Sequence, residues 1–118
     1  MATHNDTGKK GEELAKSFLI EKGYEILSSN YRYKKAEIDL IAKKGNILAI
    51  IEVKTRTSID YGAPESFVNN KKIKLILEAT NAFVIEHDLD LNISLDIISV
   101  VIDKQVTIEH IENAYYFF

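Results

Sequence analysis

The sequence predicts a single α/β domain over residues 1–118, in which a mixed β-sheet is flanked by helices. A length of 118 residues suits one hydrophobic core. A composition that is 46% hydrophobic and 28% charged is typical of a folded protein. Two stretches with apolar residues at helical spacing are interspersed with five stretches whose aliphatic and aromatic residues are typical of strands. The predicted order is therefore α-β-β-β-α-β-β, with disorder an option at 1–6 and a mobile loop at 55–64.

Each predicted element follows from a local pattern. The helix from Thr7 to Gly23 has one apolar stripe, and its glycine suits the position just after a helix end. The helix from Glu65 to Glu86 also has an apolar face. The strands are rich in aliphatic and aromatic residues, and they span 24–33, 37–43, 47–55, 93–102 and 106–111. Gly45-Asn46, between the second and third strands, predicts a hairpin turn.

Charge is distributed unevenly along the chain. The formal net charge is −3, which does not by itself suggest a nucleic-acid-binding protein. Residues 31–74, however, carry 10 basic and 5 acidic side chains, whereas residues 75–118 carry 1 basic and 8 acidic side chains. This asymmetry hints at an anionic partner for the central segment.

Several classes of protein are disfavoured by composition. The absence of Cys excludes disulfides, thiol catalysis and thiolate metal sites. No apolar run is long enough to span a bilayer, and the polar N-terminus has no signal-peptide core. We therefore expect a cytoplasmic protein that does not contact a membrane.

Charged residues interrupt the two central strands. Asp39 lies within the run Ile38-Asp39-Leu40-Ile41, and Glu52 and Lys54 flank Val53. Burying an unpaired carboxylate is costly, so charges in apolar strands require an explanation. Because side chains alternate along a strand, Glu52 and Lys54 should point to the same face.

The hairpin register brings the carboxylates of these two strands together. With Gly45-Asn46 as the central turn residues, Lys44 pairs with Ile47 and Asp39 faces Glu52 across the ladder. With the turn one position earlier, Asp39 and Glu52 become diagonal neighbours on the same face. In both registers the two carboxylates should lie close to each other.

Two neighbouring carboxylates repel each other, so positive charge is expected between them. Either Lys54 or a divalent cation could supply it. Mg²⁺ takes one or two carboxylates together with water and phosphate oxygens, and an adjacent lysine can assist an attacking water. The pattern therefore suits phosphodiester hydrolysis. Simple salt bridges on the surface of the sheet are the alternative, and residue types alone favour that alternative.

Short motifs extend over nearly the whole chain, namely Gly11-Glu12-Glu13-Leu14-Ala15, Gly23, Asn30-Tyr31-Arg32, Glu37-Ile38-Asp39-Leu40-Ile41-Ala42, Glu52-Val53-Lys54-Thr55-Arg56, Gly62, Val68 and Lys72. Together they resemble the YraN-like family of bacterial proteins. That family is similar to the archaeal Holliday junction resolvases, which have a restriction-endonuclease-like fold with a PD-(D/E)xK motif. The resemblance implies such a fold here, with cleavage of DNA, branched DNA included, that depends on Mg²⁺ or Mn²⁺.

The resemblance also implies roles for individual residues. Asp39 and Glu52 match the metal-binding carboxylates, and Lys54 matches the catalytic lysine of the motif. Glu12 matches an additional acidic residue of the catalytic site, although the helix dipole alone favours a Glu near a helix start. Glu13 could instead be the inward-facing residue, because neighbours on a helix diverge by about 100°.

Three basic residues are candidates for contacts with DNA phosphates: Arg56, Lys71 and Lys72. A solvated loop or helix face explains each of them equally well. Lys72 is the strongest candidate because it matches a family position and lies on the apolar side of its helix, from which it could reach the site or extend towards solvent.

Ile38 stands where the motif name has Pro, as is usual in this family. The chain departs from the family pattern at two places. Ala36 replaces a glycine before the second strand. Leu95-Asp96 lies where the family often has Arg-Phe-Asp, so a contact made by that arginine is missing here. These departures affect details of DNA contact rather than the metal-binding residues.

Other chemistries find less support. His4, His87 and His110 are scattered, and we expect them to be exposed to solvent. Ser58, Ser66 and Ser99 have no partners in the pattern of a hydrolytic triad. The aromatic tail at 115–118 is expected to pack on the core or on a partner subunit, which makes a homodimer an option.

Three functions remain open from the sequence. The first is a metal-dependent nuclease that acts on DNA, with Val53 supplying a carbonyl oxygen to the metal. The second is a non-catalytic nucleic-acid-binding module with the same fold. The third is an interaction domain in which the charged residues form only salt bridges.

Overall fold

Two helices pack on opposite faces of a five-stranded sheet in the computed structural model, which describes residues 4–57 and 70–115. The elements are α1 (His4–Glu21), β1 (Glu25–Tyr33), β2 (Ala36–Lys44), β3 (Ile47–Arg56), α2 (Asn70–Glu86), β4 (Asn92–Ile102) and β5 (Val106–Ile111). The predicted α/β class and element order are confirmed. In the described part of the chain, no helix has the length and apolar character needed to cross a membrane.

The sheet is mixed, as predicted, and its spatial order is the chain order β1-β2-β3-β4-β5. Among the strands of residues 4–57 and 70–115, only β3 and β4 run parallel, and the connection between them contains α2. The other three neighbouring pairs are antiparallel. A parallel pair needs a long crossover, whereas antiparallel neighbours can follow one another through short turns. The strand β4, which lies between β3 and β5, is almost continuously buried, in line with its largely apolar sequence.

Two apolar clusters attach the helices to the sheet. On one face, α1 contributes the fully buried Ala15 and Leu19. On the other face, α2 contributes Ile73, Ile76 and Phe83. Each helix presents one apolar stripe to one side of the sheet, because removing apolar area from water favours that arrangement. The sheet is therefore the middle layer of three.

The turn between β2 and β3 has the predicted register. Lys44 pairs with Ile47, and regular pairing continues to Leu40 opposite Ile51. Gly45 adopts a φ of 60°, which is accessible to glycine at little cost. At the end of α1, Gly23 has a φ of 95°, and the Tyr24 N–H donates to the Leu19 carbonyl, so this helix ends as its glycine predicts.

Some boundaries differ from the predictions. The first helix begins at His4 rather than Thr7, so it includes 4–6 of the segment for which disorder was an option. The loop predicted from residue 55 begins later, because Thr55 and Arg56 still pair with Val100 and Val101 of β4. Residues 58–64 of that loop, the predicted helix start at 65–69 and the ends of the chain at 1–3 and 116–118 lie outside the described residues.

The described part of the aromatic tail packs on the core. Tyr115 is 4% exposed and belongs to the cluster on the α2 face. The preceding residue, Ala114, donates its N–H to the carbonyl of Leu95 on β4. The segment at 114–115 is thereby attached to β4, and for Tyr115 the expected packing on the core is the observed one.

Candidate metal centre

Asp39 of β2 and Glu52 of β3 line the same pocket beneath α2. The walls of this pocket are largely apolar and include Ile50, Ile73 and Ile76. An apolar wall strengthens electrostatic interactions, because it lowers the effective dielectric constant around the charges. The structure therefore brings the two carboxylates into one partly desolvated site.

The expected pairing of Asp39 with Glu52 across the ladder is replaced by a different contact. Regular pairing of β2 with β3 ends at Leu40 and Ile51. One residue further, the backbone N–H of Val53 donates to Asp39 Oδ2 over 2.8 Å. The carboxylate thus takes over from a backbone carbonyl as acceptor, and Asp39 is held beside β3 by a fixed donor.

The backbone of β2 is also irregular at Asp39. Strict alternation would place Ile38 and Leu40 on one face, yet Ile38 packs in the α2 cluster and Leu40 in the α1 cluster. On β1, Asn30 lies between the partners of these two residues and has a φ of 54°. This local twist is invisible in the sequence pattern and changes where the Asp39 side chain points.

The surroundings of Asp39 disfavour its ionised form. Burial, joined by the nearby carboxylates of Glu12, Glu52 and Glu37, raises the pKa of Asp39 from 3.8 to about 6, although the hydrogen bond from the Val53 N–H acts in the opposite direction. Desolvation and like charges both stabilise the neutral acid relative to the carboxylate. A cation bound at Asp39 would relieve both effects.

Glu52 is surrounded asymmetrically. Its Oε1 forms ion pairs with Lys72 of α2 and, over 3.3 Å, with Lys54 of β3. Its Oε2 is buried and has no hydrogen-bond partner among residues 4–57 and 70–115. A buried acceptor without a partner costs about 1–3 kcal/mol, so Oε2 is a position at which a cation would be stabilised.

The contact of Lys54 with Glu52 fits the expectation that these residues share a face. That face is the one covered by α2, because Lys72 approaches the same oxygen from that helix. Ala49 and Ile51 lie on the other face with α1. The alternation of β3 thus places its charged residues on the α2 face, beside the buried Leu48 and Ile50.

Of the two adjacent glutamates on α1, Glu12 faces inward. Glu12 is half-buried and contributes to the raised pKa of Asp39, whereas the Glu13 side chain is 71% exposed and pairs with Lys16. The neighbouring Gly11 allows a close approach of α1 to β3, since a Cβ there would lie 1.8 Å from Thr55 Oγ1. Glycine at this position thus brings the first turns of α1 near the site.

The donor set fits Mg²⁺ or Mn²⁺ with two carboxylates. Within the described part of the chain, no three His, Asp or Glu side chains cluster closely enough to hold a metal ion. Glu12 therefore acts on Asp39 through its field and does not form a three-carboxylate cluster with Asp39 and Glu52. Mg²⁺ commonly binds one or two carboxylates and keeps several waters or phosphate oxygens, which matches what Asp39, Glu52 and the Val53 carbonyl can offer.

The basic candidates have different surroundings. Lys71 is exposed on the first turn of α2, whereas Lys72 is half-buried and reaches Glu52. Arg56 is half-buried at the end of β3, with its Nε buried. Of the three, Lys71 is the one that solvent surrounds most.

A second polar cluster, which the sequence analysis missed, lies around Asp96 of β4. Asp96 is 2% exposed, and His110 Nε2 lies 2.8 Å from its Oδ2. The other oxygen, Oδ1, accepts hydrogen bonds from Ser94 and from the Asn113 N–H. Lys22 of α1 completes the cluster, with Nζ 2.9 Å from His110 Nδ1.

The expectation that His110 is exposed to solvent is wrong. Its side chain is 2% exposed and makes edge contacts with the rings of Phe18 and Tyr24. Alternation places His110 on the same face of β5 as Ile108, which packs against the cluster on the α1 face, so the pattern of β5 offered one signal. A second signal was Asp96, a charge within an apolar strand, which is the same signal that singled out Asp39.

This cluster does not form a hydrolytic triad. In a triad the serine contacts the histidine and the histidine contacts the aspartate. Here Ser94 and His110 bind different oxygens of Asp96. The Asp96 cluster instead joins β4 to β5, to the C-terminal segment at Asn113 and, through Lys22, to α1.

Comparisons with known proteins agree with the resemblance found in the motifs. The sequence model of Uncharacterised protein family UPF0102 matches residues 11–100. A UPF0102 protein of Flavobacterium psychrophilum is 56% identical over 119 residues, and the alignment covers all of both chains. UPF0102 proteins of Christiangramia forsetii and Phocaeicola vulgatus are 50% and 46% identical, with 100% and 98% of this chain covered and 100% and 97% of theirs.

Proposed function

We propose that this chain, which belongs to Uncharacterised protein family UPF0102, is a metal-dependent nuclease that hydrolyses phosphodiester bonds of DNA in the cytoplasm. The observation that carries the proposal is the buried Glu52 Oε2, which has no hydrogen-bond partner among the described residues and lines one pocket with Asp39. The raised pKa of Asp39 and the unsatisfied oxygen of Glu52 both favour a bound cation between the two carboxylates.

We further propose that the domain is restriction-endonuclease-like. Its support is the mixed sheet, in which the hairpin β2–β3 carries the acidic residues and α2 connects β3 to the parallel β4. The similarity of the motifs to those of the archaeal junction resolvases points the same way, and it makes branched DNA a substrate to test first.

Each residue of the proposed site has a distinct task. Asp39, Glu52 and the Val53 carbonyl would hold Mg²⁺ or Mn²⁺, and the Val53 N–H keeps Asp39 oriented. The chemistry supplied by the bound ion is activation of water and neutralisation of phosphate charge. Lys54, 3.3 Å from Glu52, is placed to orient the attacking water or to stabilise charge developing on the phosphate.

Residues around this centre complete the proposal. Glu12 modulates Asp39 by adding negative charge nearby. Lys71 and Arg56 would contact DNA phosphates and position the strand, since phosphate contacts fix the register of a bound nucleic acid.

The test is cleavage of four-way-junction, duplex and single-stranded DNA in the presence of Mn²⁺ or Mg²⁺. We expect the wild-type chain to cleave at least one of these, and D39N and E52Q to lose activity by about 100-fold or more because an ion-binding carboxylate is removed. E13Q is the matched control, because Glu13 is an exposed carboxylate on α1, and it should retain full activity. Equal activity in D39N would indicate a contaminating nuclease and would refute the proposal.

The other functions correspond to other outcomes of the same experiment. Salt-dependent binding of DNA without cleavage would identify a non-catalytic nucleic-acid-binding module. Absence of both binding and cleavage would identify an interaction domain whose charges form only salt bridges.

A homodimer is a further proposal, by analogy with the junction resolvases. Light scattering would then give twice the mass of the monomer.

A further inference from the structure

We infer that Lys72 is a built-in competitor of the metal ion: its ammonium group pairs with Glu52 in the metal-free protein and must leave that carboxylate when a divalent cation binds. The inference rests on the proposed metal site and concerns how that site is regulated. It assigns to Lys72 a role in metal affinity rather than the DNA contact expected from its position in the sequence.

The first argument is the ion pair itself. Lys72 Nζ contacts Glu52 Oε1 closely, although the two residues lie on different elements and are 20 positions apart. The Glu52 side chain is only 13% exposed. A carboxylate so removed from water needs a nearby positive charge, and in the metal-free protein α2 supplies it.

The second argument is the charge around Glu52. Lys54 contacts the same Oε1, so two ammonium groups share one oxygen of this carboxylate. A divalent cation held by Asp39 and Glu52 would add two positive charges beside them. Two carboxylates would then face four positive charges, and mutual repulsion favours the departure of one ammonium group.

The third argument is that Lys72 can leave more easily than Lys54. The Lys72 side chain is 40% exposed, against 26% for Lys54. Lys72 extends from α2 on a long flexible stem, so its charge can move into water while the stem stays in place. Lys54 is only two residues from Glu52 on the same strand, and both side chains point to the same face.

Lys72 and its neighbour provide a matched experiment. K72M removes the ammonium group and preserves an unbranched apolar stem, and K71M does the same at the exposed adjacent position. Both variants lose one positive charge from the same turn of α2. A difference between them therefore reports the surroundings of the Lys72 ammonium group, which include Glu52, and not the net charge of the protein.

The measurement is the dissociation constant of Mn²⁺ for the full chain, by calorimetry and by electron paramagnetic resonance. We expect K72M to bind Mn²⁺ about tenfold more tightly than wild type, a gain of about 1.4 kcal/mol, and K71M to stay within about twofold of wild type. Binding by K72M alone, with wild type too weak to measure, would support the inference equally.

Two outcomes of the Mn²⁺ titration separate failure of the competition by Lys72 from failure of the metal site. If wild type binds Mn²⁺ and K72M binds it no more tightly than K71M does, the competition is refuted while the metal site stands. If neither wild type nor the variants bind Mn²⁺ at millimolar concentration, the metal site is refuted and the inference with it.

A second measurement uses the wild-type chain, so its result does not depend on whether a variant folds. NMR of the lysine ammonium groups should show the Lys72 signal, slowed in exchange by Glu52, and the addition of Mg²⁺ should abolish that protection. Protection that persists at saturating Mg²⁺ would overturn the inference.

Discussion

Asp39 and Asp96 are both aspartates within apolar strands of one sheet, yet their surroundings are opposite. Asp96 is almost fully buried, and its oxygens contact Ser94, His110 and the Asn113 N–H. Asp39 has one backbone donor and is surrounded by further carboxylates that raise its pKa. A buried carboxylate surrounded by donors stabilises a fold, whereas one surrounded by like charges is a liability that a bound cation can offset.

The difference separates a structural role from a functional one. The Asp96 cluster joins β4, β5, α1 and the C-terminal segment, so it serves the fold without any ligand. The Asp39 site leaves an oxygen of the neighbouring Glu52 without a hydrogen-bond partner among the described residues. Proteins often give up stability at functional sites in this way.

The largest expected effect is on Asp96. The substitution D96N keeps the shape of the side chain but removes the charge and one acceptor, so His110 or Ser94 loses its partner in a buried position. We expect the free energy of unfolding to fall by about 3–5 kcal/mol, measured by urea denaturation. The exposed D103N is the control and should change it by less than about 0.5 kcal/mol. A small loss in D96N would mean that the cluster is not structural.

For Asp39 we expect removal of the charge to raise the free energy of unfolding near neutral pH, the opposite of the effect expected for Asp96. Because its pKa is raised to about 6 in the folded state, folding favours the protonated acid. Stability is therefore lost as pH rises from about 4 to 6, and the loss is complete above pH 6. The loss is at most about 3 kcal/mol, since one pKa unit corresponds to about 1.4 kcal/mol.

The variant D39N should lack this loss, because an amide does not ionise and can still accept from the Val53 N–H. In EDTA we expect D39N to be more stable than wild type by about 1–3 kcal/mol at pH 8, and equally stable at pH 4. Urea denaturation at both pH values measures the difference. Lower stability of D39N at pH 8 would show that the ionised carboxylate is well solvated after all.

The smallest expected effect distinguishes the two glutamates of α1. Removing the charge of Glu12 by E12Q should lower the pKa of Asp39 by a fraction of a unit, because Glu12 helps to raise it. E13Q should leave the Asp39 pKa unchanged, since Glu13 is directed to solvent. Titration of the Asp39 carboxyl carbon by NMR measures both. Equal shifts in the two variants would mean that Glu12 is not the inward residue.

Much of the architecture could be predicted because its causes are local. The helices and strands follow from apolar periodicity, and the register of β2 against β3 follows from Gly45-Asn46 in the turn. The shared face of Glu52 and Lys54 follows from alternation alone. These features need only a few neighbouring residues to be specified.

The details of both acidic sites could not be predicted in that way. The hydrogen bond from Val53 to Asp39 depends on a twist in β2, and the ion pair of Lys72 with Glu52 depends on where α2 crosses the sheet. The burial of His110 depends on the packing of α1 against β5. Contacts between distant segments are not encoded in local periodicity.

The sequence by itself determined the α/β class, the order of the elements and the presence of charges in apolar strands. Only the tertiary structure decided which charge is satisfied, because partners such as His110 for Asp96 come from another strand. The free energy of a buried carboxylate depends on the donors and charges within a few ångströms, and folding alone brings those groups together.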